Sequence, residues 1–245
     1  MKEKKKETRR EFIKKSAGAA ALLSMPTIIP ASVFGANGKV SVAVIGVNGR
    51  GGSHIQGFMN LPNAEVTCLC DCDLNVLGPK AKAFETRYSK KVKQEQDLRN
   101  VFADKSIDAV SIATPNHWHA LATIWACQAG KDVYVEKPGA HNIYEGRKMV
   151  EAANKYDRIV QHGVQLRSSV AVQEAIKHLR DGLIGRVYMA RGLVFRWRGD
   201  VGKKGPGTIP QGLDYDLWTG PAEMRPFSED WVHYNWHWHW NWGNG

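Results

Sequence analysis

Glycines and one carboxylate mark the two ends of a short segment in the first half of the chain. An apolar run, Val40 to Ile45, leads directly into the turn Gly46-Val47-Asn48-Gly49-Arg50-Gly51-Gly52, and a helix-compatible segment follows from Ser53 to Met59. A second apolar run, Val66 to Cys70, ends at Asp71, about 20 residues beyond the last turn glycine. The order strand, glycine turn, helix, strand, acid is that of a dinucleotide-binding βαβ unit.

These residue types suit a bound pyrophosphate and ribose. Glycine lets the backbone approach a ligand closely, and a helix N-terminus offers free N–H groups and the positive end of its dipole. Asn48 replaces the middle glycine of G-x-G-x-x-G, and we interpret it as a variant because Asn tolerates left-handed backbone. A glycine turn that serves only packing is the alternative. The predicted cofactor contacts here are Gly46, Asn48, Gly49, Arg50, Gly51 and Asp71.

The alternation of strand-like and helix-like segments predicts the fold class. The apolar run at 107–113 and strand-like segments at 132–135 and 159–162 are separated by helix-compatible segments, which indicates an α/β fold. We expect a doubly wound, mostly parallel Rossmann sheet, on which ligands bind beyond the carboxyl ends of the strands. Two more polar motifs follow strands there: Thr114-Pro115-Asn116-His117-Trp118-His119 and Glu136-Lys137-Pro138.

The pattern changes after Gly163. Val170 to Asp181 predicts a helix, and Arg186 to Trp197 has strand character. Near the end, Trp236, Trp238, Trp240 and Trp242 alternate with His and Asn, which is the period of a strand with one aromatic face. The expected organisation is a signal segment at 1–36, an NAD(P)-binding Rossmann domain at 37–165, and the N-terminal part of an α+β substrate domain at 166–245.

Composition and charge narrow the function classes. The 245-residue chain is 43% hydrophobic and carries a net charge of +10, of which residues 1–35 supply +5. No stripe of Lys and Arg interleaved with aromatics is present in the sequence, so we expect no nucleic-acid partner. Thr8 to Lys14 resembles a twin-arginine export signal, followed by an Ala-rich stretch too interrupted by Pro26 and Pro30 to cross a membrane. We therefore expect export to the periplasm; a disordered basic tail is the alternative.

The cysteines do not predict a disulfide framework. Cys68, Cys70 and Cys72 alternate along the second strand and are expected to act as small core residues. A C-x-C-x-C metal site is the alternative. His237 and His239 would share a strand face, but no carboxylate or cysteine joins them at ligand spacing. We expect no metal site.

Taken together, these motifs resemble the glucose–fructose oxidoreductase / inositol dehydrogenase (Gfo/Idh/MocA) family over about residues 38–245. The matching residues also include His54, Gly163-Val164-Gln165 and Asp216-Leu217-Trp218 with Gly220-Pro221. The resemblance implies NAD or NADP in the first domain and oxidation or reduction of sugars, polyols and related compounds over an open, mainly antiparallel sheet. It also implies a truncated C-terminus, because such proteins have a catalytic His and Asp after the segment that ends here at Gly245.

The resemblance assigns roles to individual residues. Lys137 is the expected catalytic residue, exchanging the substrate's hydroxyl proton, with Pro138 in a cis peptide; a surface lysine is the alternative. The remaining cofactor contacts implied are Thr114, Asn116, His119, Glu136 and Gln165. The alternative is that these residues serve only the local turns or the packing. The substrate contacts implied are Lys137, Arg167, Trp236 and His237. The alternatives are that Arg167 is simply an exposed arginine and that the tryptophans belong to the core. Asp71 favours NAD because a carboxylate repels a 2′-phosphate, whereas Arg50 leaves NADP open.

Four function classes remain open from the sequence. The leading hypothesis is an exported NAD(P)-dependent oxidoreductase acting on a carbohydrate-like substrate, and forming a homo-oligomer when full length. The second is an NAD-dependent glycosidase that works by transient oxidation and elimination. The third is a non-catalytic nucleotide-binding sensor, and the fourth is a secreted structural protein.

Overall fold

The computed structural model describes residues 38–197 and 199–244. The signal segment predicted at 1–36 lies outside these residues. Within the described residues, six strands and seven α-helices follow one another: β1 Val40–Ile45, α1 Gly51–Met59, β2 Ala64–Cys70, α2 Leu74–Tyr88, β3 Lys93–Glu95, α3 Leu98–Ala103, β4 Ala109–Ile112, α4 Asn116–Gln128, β5 Asp132–Glu136, α5 Ile143–Tyr156, β6 Val160–Gly163, α6 Val170–Arg180 and α7 Tyr215–Thr219.

The strands form one parallel sheet in the order β3-β2-β1-β4-β5-β6. This confirms the predicted doubly wound Rossmann sheet. The strand order reverses direction between β1 and β4, and at such a switch point a crevice opens beyond the carboxyl ends of the strands. The glycine turn after β1 therefore lies at the position where this fold binds ligands.

Helices cover both faces of the sheet. On one face α1 and α2 pack against β1 and β2 through residues such as Val44, Leu69 and Phe84. On the other face α3, α4 and α5 pack against β1, β4 and β5 through residues such as Ile45 and Val135. Burial on both faces explains why the strands are continuous apolar runs. Cys68 and Cys70 are buried in the second of these clusters, and burial raises the pKa of Cys68 to about 12.

The chain after Gly163 agrees with the sequence prediction only in part. The helix predicted at Val170 to Asp181 is confirmed as α6. Residues 186–197 form no strand and are exposed, so the prediction of a strand there is wrong. No neighbouring segment of the described residues supplies the ladder hydrogen bonds that a strand needs. The expected open antiparallel sheet is represented in the described part only by an isolated bridge between Asp73 and Leu213.

The tryptophan-rich segment, residues 231–244, is also not a strand. Asn235–Trp238 is a 3₁₀ helix, and the backbone then turns through local hydrogen bonds such as Trp242 N–H to His239 C=O. Trp236 and Trp242 are buried in one cluster with Trp218, whereas Trp240 is 83% exposed. The tight turn brings the tryptophans together without a pleat, so alternation in sequence was a misleading signal.

Within the described residues, no helix has both the length and the apolar character needed to cross a membrane. The same residues contain no group of three or more His, Cys, Asp or Glu side chains arranged to hold a metal ion.

Candidate active site

A cavity of about 560 Å³ lies at the carboxyl edge of the sheet. Its floor comes from the residues that follow β1, β2, β4 and β5, and its roof from α7 and the tryptophan-rich segment. The lining includes most of the predicted site residues, namely Gly46, Asn48, Gly49, Arg50, Asp71, Thr114, Asn116, His119, Glu136, Lys137, Trp236 and His237. The fold thus brings together two sets of motifs that are far apart in the sequence.

The glycine turn is shaped to receive a ligand. Gly46 has a φ of +84°, and a Cβ there would lie 2.7 Å from the carbonyl oxygen of Ala113, so only glycine fits. Gly49 has open space where a Cβ would point. Helix α1 begins at Gly51 without a side-chain cap. The Gly52 and Ser53 N–H groups donate to the Gly49 and Arg50 carbonyls, so what the helix start offers an anion is mainly the positive end of its dipole. Asn48 does not have a positive φ, so the left-handed backbone invoked for it is not needed.

Asp71 is buried at the end of β2 and lines the cavity. One carboxylate oxygen accepts a hydrogen bond from the Val47 N–H at 2.9 Å and the other accepts one from the Asp73 N–H at 3.2 Å. Burial raises the pKa of Asp71, and the two backbone hydrogen bonds partly oppose that shift. The carboxylate therefore holds the glycine turn against β2 while its remaining lone pairs face the cavity.

The Thr114–His119 motif joins three parts of the site. His119 is 1% exposed, with Nδ1 2.6 Å from the Pro138 carbonyl oxygen and Nε2 2.8 Å from that of Thr114. The Asn116 side chain donates to the Asn244 side chain at 2.8 Å. Thr114 Oγ1 is buried without a hydrogen-bond partner among the described residues, so a bound ligand can satisfy it.

The two histidines of this motif, His117 and His119, face different partners. His117 Nε2 lies 3.0 Å from the Trp218 carbonyl oxygen, far from the contacts of His119. Burial lowers the pKa of His117 to about 4, although hydrogen bonds to backbone groups oppose the shift. His117 therefore serves the contact between α4 and α7 as a neutral imidazole.

Glu136 is engaged with protein groups. Its Oε1 accepts hydrogen bonds from Arg50 Nε at 2.7 Å and from His54 Nε2 at 3.1 Å, and its Oε2 accepts one from the Lys137 N–H at 3.0 Å. Burial alone would raise the pKa of Glu136, but these hydrogen bonds together lower it. The Lys137–Pro138 peptide is cis, as the resemblance implied. The Lys137 side chain lines the cavity and has no hydrogen-bond partner in the described part of the chain.

Three predicted contacts do not line the cavity. Gly51 is buried at the start of α1. Arg167, in the 3₁₀ helix Gln165–Ser168, is exposed and does not line the cavity. Gln165 also does not line it; in the amide orientation that satisfies both ends, its nitrogen donates to the Gly163 carbonyl and its oxygen accepts from Arg50. Gln165 thus reaches the site only through Arg50.

The tryptophan-rich segment supplies both expected and unexpected lining. Trp236 and His237 line the cavity with their rings stacked at 3.6 Å between centroids. The prediction that His237 and His239 share a strand face is wrong, because the 3₁₀ helix turns them apart. Reasoning from the sequence missed His233, whose Nε2 lies 2.8 Å from Asp73 Oδ2. The sequence carries no signal for this pair, which is 160 residues apart.

The donor set fits a dinucleotide. The positive end of the α1 dipole suits a pyrophosphate, the Asp71 carboxylate at the end of β2 suits ribose hydroxyls, and the buried Thr114 hydroxyl is unpartnered among the described residues. Lys137 lines the same cavity as Thr114 and the aromatic roof. The arrangement can hold a cofactor in a cavity that is also lined by a lysine.

Comparison with known proteins agrees with this reading. Residues 40–164 match the model of an oxidoreductase family with an NAD-binding Rossmann fold, and residues 169–245 match that family's C-terminal alpha/beta domain. The chain therefore belongs to the Gfo/Idh/MocA oxidoreductase family, and its first part is an NAD-binding Rossmann domain.

Individual relatives cover only part of the chain. A glycosyl hydrolase family 109 protein of Saccharopolyspora erythraea is 30% identical over 65% of this chain and 36% of its own length. Levoglucosan dehydrogenase of Pseudarthrobacter phenanthrenivorans is 36% identical over 42% of this chain and 27% of its own length. The WlbA dehydrogenase of Bordetella pertussis, solved with NADH and UDP-GlcNAcA, is 26% identical with a TM-score of 0.54. The match covers 61% of this chain and 44% of that one. The chain thus spans less than half the length of each.

Proposed function

We propose that the protein is an NAD-dependent oxidoreductase acting on a sugar, a polyol or a related compound. The observation that carries the proposal is the position of Lys137, directly after β5, in the lining of the cavity that Thr114 and Trp236 also line. Bound NAD supplies the hydride acceptor. The Lys137 amine takes the proton of the substrate hydroxyl as the carbonyl forms and returns it in the reverse reaction.

The other residues orient rather than react. The glycine turn and the N-terminal end of α1 bind the pyrophosphate, and the Asp71 carboxylate binds the ribose. Trp236 and His237 form the wall on the substrate side, and an aromatic ring next to a polar group suits the apolar face and hydroxyls of a sugar. Named carbohydrate activities among the relatives, such as levoglucosan dehydrogenase, support this substrate class.

Replacement of Lys137 by Met tests the proposal. Met keeps the length of the side chain and removes the amine, so turnover of a carbohydrate panel with NAD should fall by about 10²- to 10⁴-fold. Lys148→Met, an exposed lysine paired with Glu151 on α5, is the matched control and should leave turnover unchanged. Full turnover in Lys137→Met would exclude the assigned role.

A glycosidase that oxidises its substrate transiently is the second candidate. The similarity to the glycosyl hydrolase family 109 protein favours it. Nitrophenyl glycosides separate the two functions, because release of nitrophenol without net NADH is expected of the glycosidase only. If neither activity is found but NADH binds, the non-catalytic sensor is the remaining reading.

The choice of NAD over NADP is supported by the position of Arg50. Its Nε bonds to Glu136 at the end of β5, whereas Asp71 follows β2, and β1 and β4 lie between these strands. Three strand spacings correspond to about 14 Å. Arg50 is therefore directed away from the ribose at which a 2′-phosphate would need it.

Export through the twin-arginine machinery to the periplasm is part of the proposal and rests on Thr8 to Lys14 in the sequence. This pathway carries folded proteins, which suits a protein that acquires its cofactor in the cytoplasm. We also propose a homo-oligomer for the full-length protein, which light scattering would test.

A further inference from the structure

The Glu136 carboxylate joins two parts of the site that the sequence separates by 86 residues. On one side it accepts from Arg50, at the end of the glycine turn, and from His54, on α1. On the other side it accepts from the backbone N–H of Lys137. The carboxylate is thus the link between the phosphate-binding turn and the backbone of the expected catalytic lysine.

His54 is the partner of Glu136 that a ligand cannot reach. Its side chain is 6% exposed, compared with 45% for Arg50, which lines the cavity. The imidazole packs edge-on against Tyr134 at 5.2 Å, and its Nδ1 lies 2.7 Å from the Ser111 hydroxyl of β4, which is fully buried. A phosphate that attracts the Arg50 guanidinium would leave His54 in place.

The hydrogen-bond partners fix the tautomer of His54. Burial lowers the pKa of His54, and the hydrogen bond and charge of Glu136 oppose this only in part, so the ring is neutral near pH 7. A neutral ring has one N–H, and the carboxylate can only accept. Nε2–H therefore donates to Glu136, and Nδ1 accepts the hydrogen of the Ser111 hydroxyl. In the series Ser111, His54, Glu136 and Lys137 N–H, every hydrogen bond therefore has one donor and one acceptor.

We propose that His54 is a positioning residue: through Glu136 it fixes the backbone of Lys137 and thereby the direction of the lysine side chain. The inference rests on the proposed function only in that Lys137 is the catalytic residue. Arg50 alone would hold Glu136 from the cavity side, where a diphosphate competes for the guanidinium. His54 keeps Lys137 in place whether or not the cofactor is bound.

Three variants of the full chain test the proposal. His54→Leu removes both hydrogen bonds, His54→Gln keeps an N–H that reaches Glu136, and Ser111→Ala removes the hydroxyl that selects the tautomer. Amide hydrogen exchange is measured at Lys137 and, as an internal control, at Leu69 in the core of β2. The rate of hydride transfer in a single turnover and the dissociation constant of NADH are measured on the same samples.

In His54→Leu we expect exchange at Lys137 to rise about fivefold relative to Leu69, the factor that corresponds to the loss of one hydrogen bond. Hydride transfer should fall by up to about a hundredfold, because small misplacements of a reacting group are costly. His54→Gln should recover most of the protection from exchange at Lys137 and most of the hydride-transfer rate. Ser111→Ala should lie between the wild type and His54→Leu in both quantities. Exchange that rises equally at Lys137 and Leu69, in whichever variants fold, would overturn the proposal. Exchange at Lys137 decides the inference even if no carbohydrate is turned over, an outcome that would count against the proposed function alone.

Discussion

At the residue scale, the site is built from side chains that hold one another before any ligand binds. Asp71 holds the glycine turn, Glu136 holds Lys137, and His119 spans the Thr114 and Pro138 carbonyls. Such mutual support places reacting groups without the entropic cost of ordering them during the reaction. It also leaves buried histidines whose ionisation is coupled to folding.

His117 makes this coupling measurable. Its pKa is lowered to about 4 by burial, so between pH 6.5 and pH 4 the unfolded chain binds a proton that the folded chain does not. The stability contribution is present above pH 6.5 and is lost as the pH falls towards 4, by up to about 3 kcal/mol. Melting temperatures should therefore fall less between pH 7 and pH 5 in His117→Gln than in the wild type. An equal fall in both proteins would contradict the assignment.

At the element scale, short α7 determines how the second part of the chain meets the first. The Trp118 Nε1–H donates to the Leu217 carbonyl at 2.9 Å, and His117 contacts the Trp218 carbonyl. Gly220 closes the helix with a φ of +50° and lies against the Trp118 ring. The roof of the cavity depends on this contact.

Gly220→Ala should therefore disrupt the roof. A Cβ at this position would overlap the Trp118 ring, and the positive φ is itself unfavourable for alanine. We expect a loss of about 1–3 kcal/mol, typical of overpacking. Gly57→Ala, in α1 with open space around it, is the control and should be neutral or slightly stabilising. Equal melting temperatures for both variants would contradict the packing described.

The sequence predicted the elements of the first domain because their signals are local. Continuous apolar runs such as Ala109–Ile112 indicate strands buried on both faces, and Asp97 and Asn142 mark helix starts as caps. The second part could not be predicted this way. Alternating tryptophans are compatible with either a β-strand or a compact aromatic cluster. Which one forms depends on contacts between distant residues, such as Trp242 with Trp218.

For the site residues too, those with a local sequence signal could be predicted and those that depend on distant contacts could not. Residues on motifs at strand ends, such as Asp71 and Lys137, were identified because parallel strands bring their carboxyl ends together. The partners of Glu136 were not, because nothing in the sequence relates His54 to a carboxylate 82 residues away. Arg167 was assigned to the substrate by resemblance alone, and the structure places it outside the cavity.

At the scale of the whole molecule, two regions matched by different domain models share one cavity. The Rossmann domain provides the cofactor-binding edge, and residues 213–244 cover it through pairs such as His233 with Asp73 and Asn244 with Asn116. We therefore expect cofactor binding to be coupled to the folding of both regions, as the proposed export in a folded state requires.

Export gives a prediction at this scale. Changing Arg9 and Arg10 together to Lys should retain the protein in the cytoplasmic fraction, because the pathway reads the arginine pair. Lys4→Arg with Lys5→Arg preserves the basic start and should leave export unaffected. Periplasmic recovery of the Arg9/Arg10 variant at the wild-type level would exclude the twin-arginine route.

The central claim is that the cavity at the carboxyl edge of the sheet binds NAD through the glycine turn and Asp71. Calorimetric titration of the full chain with NADH and NADPH tests it most directly, using the wild type, Asp71→Ala and Lys137→Met. We predict tighter binding of NADH than of NADPH, and a loss of about tenfold or more in NADH affinity in Asp71→Ala, since hydrogen bonds to a charged acceptor are lost. Lys137→Met should bind NADH nearly as well as the wild type. A wild-type protein that binds neither nucleotide, or an Asp71→Ala variant with unchanged affinity, would contradict the account.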